Sequence, residues 1–135
     1  MIDLQALLKE HMESVQEKEA VFGVDDCSPW CGSWVEKATG VRVIEPDWHS
    51  WPEAEAKIKR AGSLCALWDE ALADRYDTIW PSGPPVFGDV GIIETRIAGQ
   101  VSGIFLDHGR FVWRVKVGVS ILQPRNIVKA WTFQR

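Results

Sequence analysis

Apolar and polar positions change rhythm once along this chain, from helical spacing in the first half to strand alternation in the second. Ile2, Leu4, Leu7, Leu8, Met12 and Val15 recur at helical intervals, and Asp3 can cap the first turn, so the spacing predicts an amphipathic helix over 2–15. A second helix is predicted to open at Asp26 or Cys27. Asp26 suits the N-cap, Pro29 the first turn and Gly40 the stop after Thr39, with Trp30, Trp34 and Val35 on one buried face. Ser50 precedes a short third helix over 52–60 that Gly62 closes. Ser63 precedes a fourth, carried by Leu64, Leu67, Trp68, Leu72 and Tyr76.

Trp80-Pro81-Ser82-Gly83-Pro84-Pro85 is a turn-forming stretch, and beyond it the period shortens to two. Segments 90–94, 101–106, 111–117, 119–122 and 130–133 read as the strands of a meander, with Asp107-His108-Gly109-Arg110 at a hairpin tip. Helices followed by strands predict an α+β fold in which N-terminal helices pack on a C-terminal antiparallel sheet. The expected layout is one domain over 1–135, helical to about residue 76, a connector over 77–87 and the sheet over 88–135.

Composition narrows the functions. A chain of 135 residues falls in the single-domain range, and one core is enough for it. With 46% hydrophobic and 25% charged residues it is neither disordered nor fibrous. A net charge of -4, a pI of about 5.3 and no Lys/Arg cluster argue against nucleic acid as a partner. Residues 1–19 mix charges with leucines, unlike a signal peptide, and no apolar run reaches the roughly 18 to 20 residues of a membrane span. A soluble protein is therefore expected. Three cysteines cannot all pair, so reduced thiols are expected, and no motif calls for a cofactor.

The candidate chemistry centres on Cys27, which the loop Phe22-Gly23-Val24-Asp25-Asp26 delivers onto a helix N-terminus. Unpaired N–H groups and the helix dipole favour an anionic sulfur there, while Asp25 and Asp26 oppose it. A small buried cysteine filling a gap beneath the sheet is an equal alternative. Cys27 and Cys31 would share a helix face, but Cys65, His11, His49 and His108 are scattered singly, so no zinc ligand set forms. Among the eight tryptophans, Trp34, Trp68 and Trp131 fall on apolar faces and are expected in the core. Trp48, Trp51 and Trp80 lie in or beside loops. There they are candidates for contact with a protein partner, for stacking on glycans, or for packing the loops onto the domain.

Asp26-Cys27-Ser28 followed by an apolar helix and Thr39-Gly40 resembles the nucleophile motif of the NlpC-like branch of papain-fold cysteine peptidases and amidases. Gly88-Asp89-Val90 resembles the opening of that family's first core strand. Gly103-Ile104-Phe105-Leu106 with Gly109-Arg110-Phe111-Val112 resembles its central hairpin, and Ala130-Trp131 fits its end. The resemblance implies a papain-like fold, Cys27 as nucleophile and bacterial cell-wall peptides as substrate. The chain is also similar to an uncharacterised group of phage and prophage proteins of about this length, typically encoded among tail genes. These share the Asp-Cys start, the Ala61-Gly62 helix end, Gly88-Asp89-Val90, Gly103-Ile104 and the terminal tryptophan. That likeness implies a virion tail protein, assembled in the bacterial cytoplasm with other tail proteins as partners.

Departures from the enzyme pattern decide among these implications. In NlpC-like enzymes the base histidine opens the strand that here reads Val101-Ser102-Gly103-Ile104, which puts Val101 in its place, and Trp113 stands where a polar residue would orient the imidazole. A thiol without a base forgoes acid–base assistance worth a factor of about 100 to 10,000. His108 lies at the far end of the strand, roughly 16 to 20 Å from the base position. His11 falls on the first helix and His49 before the third, and all three histidines are expected at the surface. The expected function is a tail-associated structural or assembly protein with a degenerate cysteine-peptidase fold. The alternatives are a peptidoglycan peptidase or amidase that uses Cys27 with another base, and a cytoplasmic module that assists tail assembly without entering the particle.

Overall fold

A computed structural model describes residues 3–45 and 47–134. Its helices begin and end where side-chain chemistry asks them to. Helix α1 (Leu4–Glu13) opens on Asp3, whose carboxylate accepts from the backbone N–H groups of Gln5 and Ala6. Ile2, expected on its apolar face, lies outside the described residues. Helix α2 (Cys27–Thr39) stops at Gly40, which takes the left-handed conformation with φ of 81°. Ser50 caps α3 (Trp51–Ala61), and Ser63 caps α4 (Leu64–Leu72).

Six antiparallel strands follow: β1 (Asp77–Trp80), β2 (Val90–Thr95), β3 (Gly99–Phe105), β4 (Phe111–Arg114), β5 (Val119–Leu122) and β6 (Ile127–Thr132). They lie in the order β1-β6-β2-β3-β4-β5. The fold is therefore α+β, with two corrections to the expected layout. Strand β1 falls inside the supposed connector, because Asp77 and Thr78 pair with Thr132 and Trp131 of β6. Only β2 to β5 form a meander, since β6 returns to pair with both β1 and β2.

The alternation of side chains builds two cores. Val90, Ile92, Ile104, Val112 and Trp131 meet Leu8, Trp30, Trp34, Val35 and Leu72 from the helices. Ile79, Ile93, Val101, Phe105, Phe111 and Ala130 form a second, smaller cluster. Two glycines make this possible. Gly91 and Gly103 face each other across β2 and β3; a Cβ at Gly91 would press on the Phe105 ring, and one at Gly103 would run into Phe111 and the Val112 carbonyl. Their bareness lets the Phe105 and Phe111 rings meet edge to face, 5.1 Å apart.

His11 departs from expectation, for it is buried, not at the surface. Its ring stacks on Trp30 at 4.6 Å, Nδ1 lies 2.9 Å from the Lys37 ammonium, and Nε2 lies 2.9 Å from the Trp30 carbonyl. Because Lys37 can only donate, Nδ1 accepts and Nε2 carries the hydrogen that bonds Trp30. Burial, helped by the Lys37 charge and opposed by the Trp30 hydrogen bond, lowers the pKa of His11 to about 4. The unfolded chain binds this proton near pH 6.5, so the stabilising effect of a neutral His11 is whole above that pH. It declines as the pH falls towards 4, where about 3 kcal/mol has been lost. Urea unfolding at pH 7 and pH 4.5 should show that loss, and His11→Gln should remove most of the pH dependence.

Candidate functional site

The loop before α2 is clamped from both sides. Asp26 occupies the N-cap position, yet its carboxylate does not cap the helix. It accepts instead from Gly23 N–H at 2.8 Å and from the Trp48 indole at 3.0 Å, tying the loop to the segment before α3. Gly23, with φ of 82°, passes so close that a Cβ would fall on the Trp48 carbonyl oxygen. On the other side, the fully buried guanidinium of Arg114 donates to the Asp25 carbonyl at 3.1 Å and lies 3.4 Å from the Asp25 carboxylate. It also donates to the carbonyls of Val115 and Gly118. Burial raises the Asp25 pKa, but Lys18 at 2.8 Å, the Val21 N–H and Arg114 outweigh it and hold the carboxyl below its ordinary value.

This clamp sets Cys27 at the first turn of α2, half-buried, beneath the start of β3. Ser102 Oγ donates to Cys27 Sγ at 3.5 Å, Ser28 and Ser102 hydroxyls lie 3.0 Å apart, and the Trp68 indole donates to Ser28 Oγ at 3.0 Å. Each hydroxyl has one hydrogen, which sets the direction of the chain. Ser102 gives its hydrogen to sulfur, so Ser28 must give its own to Ser102, and Trp68 feeds Ser28. Every hydrogen in this buried relay points towards Cys27. The relay can stabilise negative charge on sulfur but cannot accept the thiol proton.

Around the thiol is a cavity of about 200 Å³, walled by Trp48, Trp51, Leu64, Leu67, Val101 and Trp113. No imidazole lines it. His11 is enclosed between α1 and α2, His49 is exposed beside Gly23, and His108 is exposed on the hairpin with φ of 63°. Of the three loop tryptophans, Trp48 and Trp51 meet at this cavity and Trp80 does not. Trp48 is buried and Trp51 is 53% exposed, whereas Trp80 ends β1 and packs half-buried on the second core.

The other thiols differ from Cys27. Cys31 is fully buried, bonds the Gly103 carbonyl at 3.3 Å, and is pushed well above the ordinary thiol range by burial and then by Cys27. Cys65 is half-buried, and its pKa is likewise raised by burial. Among the described residues no group of three or more His, Cys, Asp or Glu could hold a metal ion. No helix among them is long and apolar enough to cross a membrane.

The sequence places Trp68 in the core, where it lies, and carries Ser28 and Ser102 within its motifs, but it assigns none of these three, nor Arg114, a part in the Cys27 site. One signal was available: Ser102 stands between Val101 and Gly103-Ile104 in an otherwise apolar strand, where a hydroxyl needs a buried partner.

Four helices on a six-stranded antiparallel sheet, with a thiol at a helix N-terminus that accepts a hydrogen bond from Ser102 beside a tryptophan-walled cavity, define a class of α+β domain with an imidazole-free cysteine site. Residues 1–133 match DUF6950, a domain of unknown function, and the chain belongs to that family. No curated protein matches it.

Proposed function

We propose that this protein is a phage or prophage tail-associated structural or assembly protein, built on an NlpC-like, papain-type scaffold whose cysteine site binds and does not cut. The observation that carries the reading is the polarity of the hydroxyl relay. Its hydrogens end on Cys27, Val101 fills part of the cavity wall, and no imidazole stands by to take the thiol proton. The scaffold reading is supported by the way α2 carries Cys27 and packs on β3 through Ser28 and Ser102, and by Gly88-Asp89-Val90 leading into β2. Other tail proteins are its partners, the virion tail its destination and the bacterial cytoplasm its place of assembly.

The test has two arms. Mass spectrometry of purified particles should find the chain in the virion, and particles carrying Cys27→Ala should assemble as well as the parent. Peptidoglycan release by the purified protein should stay at background. Release that Cys27→Ala abolishes would establish the hydrolase instead, and a chain found only in lysate would establish a cytoplasmic assembly module.

A further inference from the structure

The Cys27 cavity has a neighbour. Trp48, Lys57 and Leu67 wall a second recess of about 270 Å³, whose other sides include Glu45 and Glu70, both exposed. The two recesses therefore flank one ridge and differ in chemistry. The first has mostly apolar walls, interrupted by Asp26, Ser28, Lys57 and Gln100. An engineered cavity of about 150 Å³ takes up benzene, so a space of about 200 Å³ admits one leucine or phenylalanine side chain. Its rim carries exposed apolar surface: Trp51, 53% exposed, meets the ring of Phe22, itself 40% exposed, at 6.5 Å.

The charges nearby are unequal. Glu45 and Glu70 line the second recess, Asp26 the first, and Asp47 and Glu53 belong to the segment that carries Trp48 and Trp51. Against them stands Lys57, already paired to Asp47 at 2.7 Å and lying 5.6 Å from the Trp48 ring, with Arg60 acting on the same Asp47. Among the described residues Glu45 and Glu70 have no ion-pair partner.

We infer that these paired recesses dock a segment of a partner protein that places one large apolar side chain in the Cys27 cavity and a lysine or arginine against Glu45 and Glu70. The inference rests on reading the cysteine site as a binding site, and it adds the partner's chemistry. An acidic segment is disfavoured by Glu45 and Glu70, and a polar side chain would have to shed its water against walls that are mainly Trp48, Trp51, Leu64, Leu67 and Trp113.

Fluorescently labelled seven-residue peptides provide the probe: a central leucine flanked by lysines, the same leucine flanked by glutamates, and the lysine peptide with serine at its centre. Anisotropy titrations should show the lysine–leucine peptide binding at least about tenfold more tightly than either of the others, and more weakly at high salt. Both Glu45→Lys with Glu70→Lys and, separately, Trp51→Ala should weaken it by a similar factor. These sites are exposed, so the variants should fold, which circular dichroism checks. The bound peptide should also slow alkylation of Cys27 by N-ethylmaleimide. Equal affinity for the lysine and glutamate peptides, indifference to the charge reversals, or no saturable binding of the lysine–leucine peptide would each overturn the inference. None of these results bears on whether the chain enters the virion, so failure here is distinguishable from failure of the tail-protein reading.

Discussion

Replacing Arg114 by alanine should lower the unfolding free energy by about 3–5 kcal/mol, the usual consequence of removing one member of a buried ion pair. The guanidinium is fully buried, and its four hydrogen bonds hold the Asp25 carbonyl and carboxylate together with the Val115 and Gly118 carbonyls. Truncation takes a donor from the Asp25, Val115 and Gly118 carbonyls, of which Gly118 keeps the Val115 N–H, and weakens the neutralisation of Asp25, whose remaining cation is Lys18. Domains of this kind are stable by about 5–15 kcal/mol, so the variant should lose roughly a fifth of its stability at the least. Guanidinium unfolding followed by tryptophan fluorescence measures the difference. A change below about 1 kcal/mol would show that the clamp contributes little. Asp25→Asn keeps the backbone carbonyl for Arg114 and one side-chain oxygen for Val21, but puts an amide NH2 where Oδ2 accepted from Arg114 and Lys18; because Arg114 retains its three backbone carbonyls, the change should still cost less than Arg114→Ala.

The second large effect is expected at Trp68, which serves the core and the cysteine site together. Its ring is buried between helix α4 and the sheet, 6.4 Å from the Trp131 ring, and its indole N–H starts the relay that ends on Cys27. Trp68→Ala removes a large buried aromatic and should cost about 3–5 kcal/mol. Trp68→Phe keeps most of the packing and deletes the donor, so about 1 kcal/mol is expected from the lost hydrogen bond. The pair of variants separates the two roles. The rate at which iodoacetamide modifies Cys27 should change in Trp68→Phe, because Ser28 is no longer held as an acceptor and can turn its hydroxyl away from Ser102. An unchanged rate in a folded Trp68→Phe protein would mean that the relay does not reach the sulfur.

What could be read from the residues alone was what short-range chemistry decides. Ser50, Ser63 and Gly40 bound their helices because the groups they satisfy lie within a few positions of them. The position of Cys27 at the head of α2 was legible for the same reason. Strand β1 was not, since Asp77-Thr78-Ile79-Trp80 is a strand only by virtue of β6, more than 40 residues onward. Nor could spacing reveal that Asp26 would bond Trp48 instead of capping its own helix, or that His11 would be enclosed by Trp30 and Lys37. The relay of residues 28, 68 and 102 joins three separate elements, and each member is an ordinary serine or tryptophan in its local context. Arg114 carried the same faint sign as Ser102, a polar residue in a strand whose other members are apolar, but its partner lies 89 positions away and spacing could not name it.

The place of β6 in the sheet has a consequence for how this molecule is made. Strand β6 is made after both strands it joins and fills the slot between β1 and β2, so until it arrives two strand edges stand open and Trp131 is missing from beneath the helices. The sheet cannot close until residues 127–132 are made, and a nascent polypeptide stalled before residue 127 would display adhesive edges to its neighbours in the polysome.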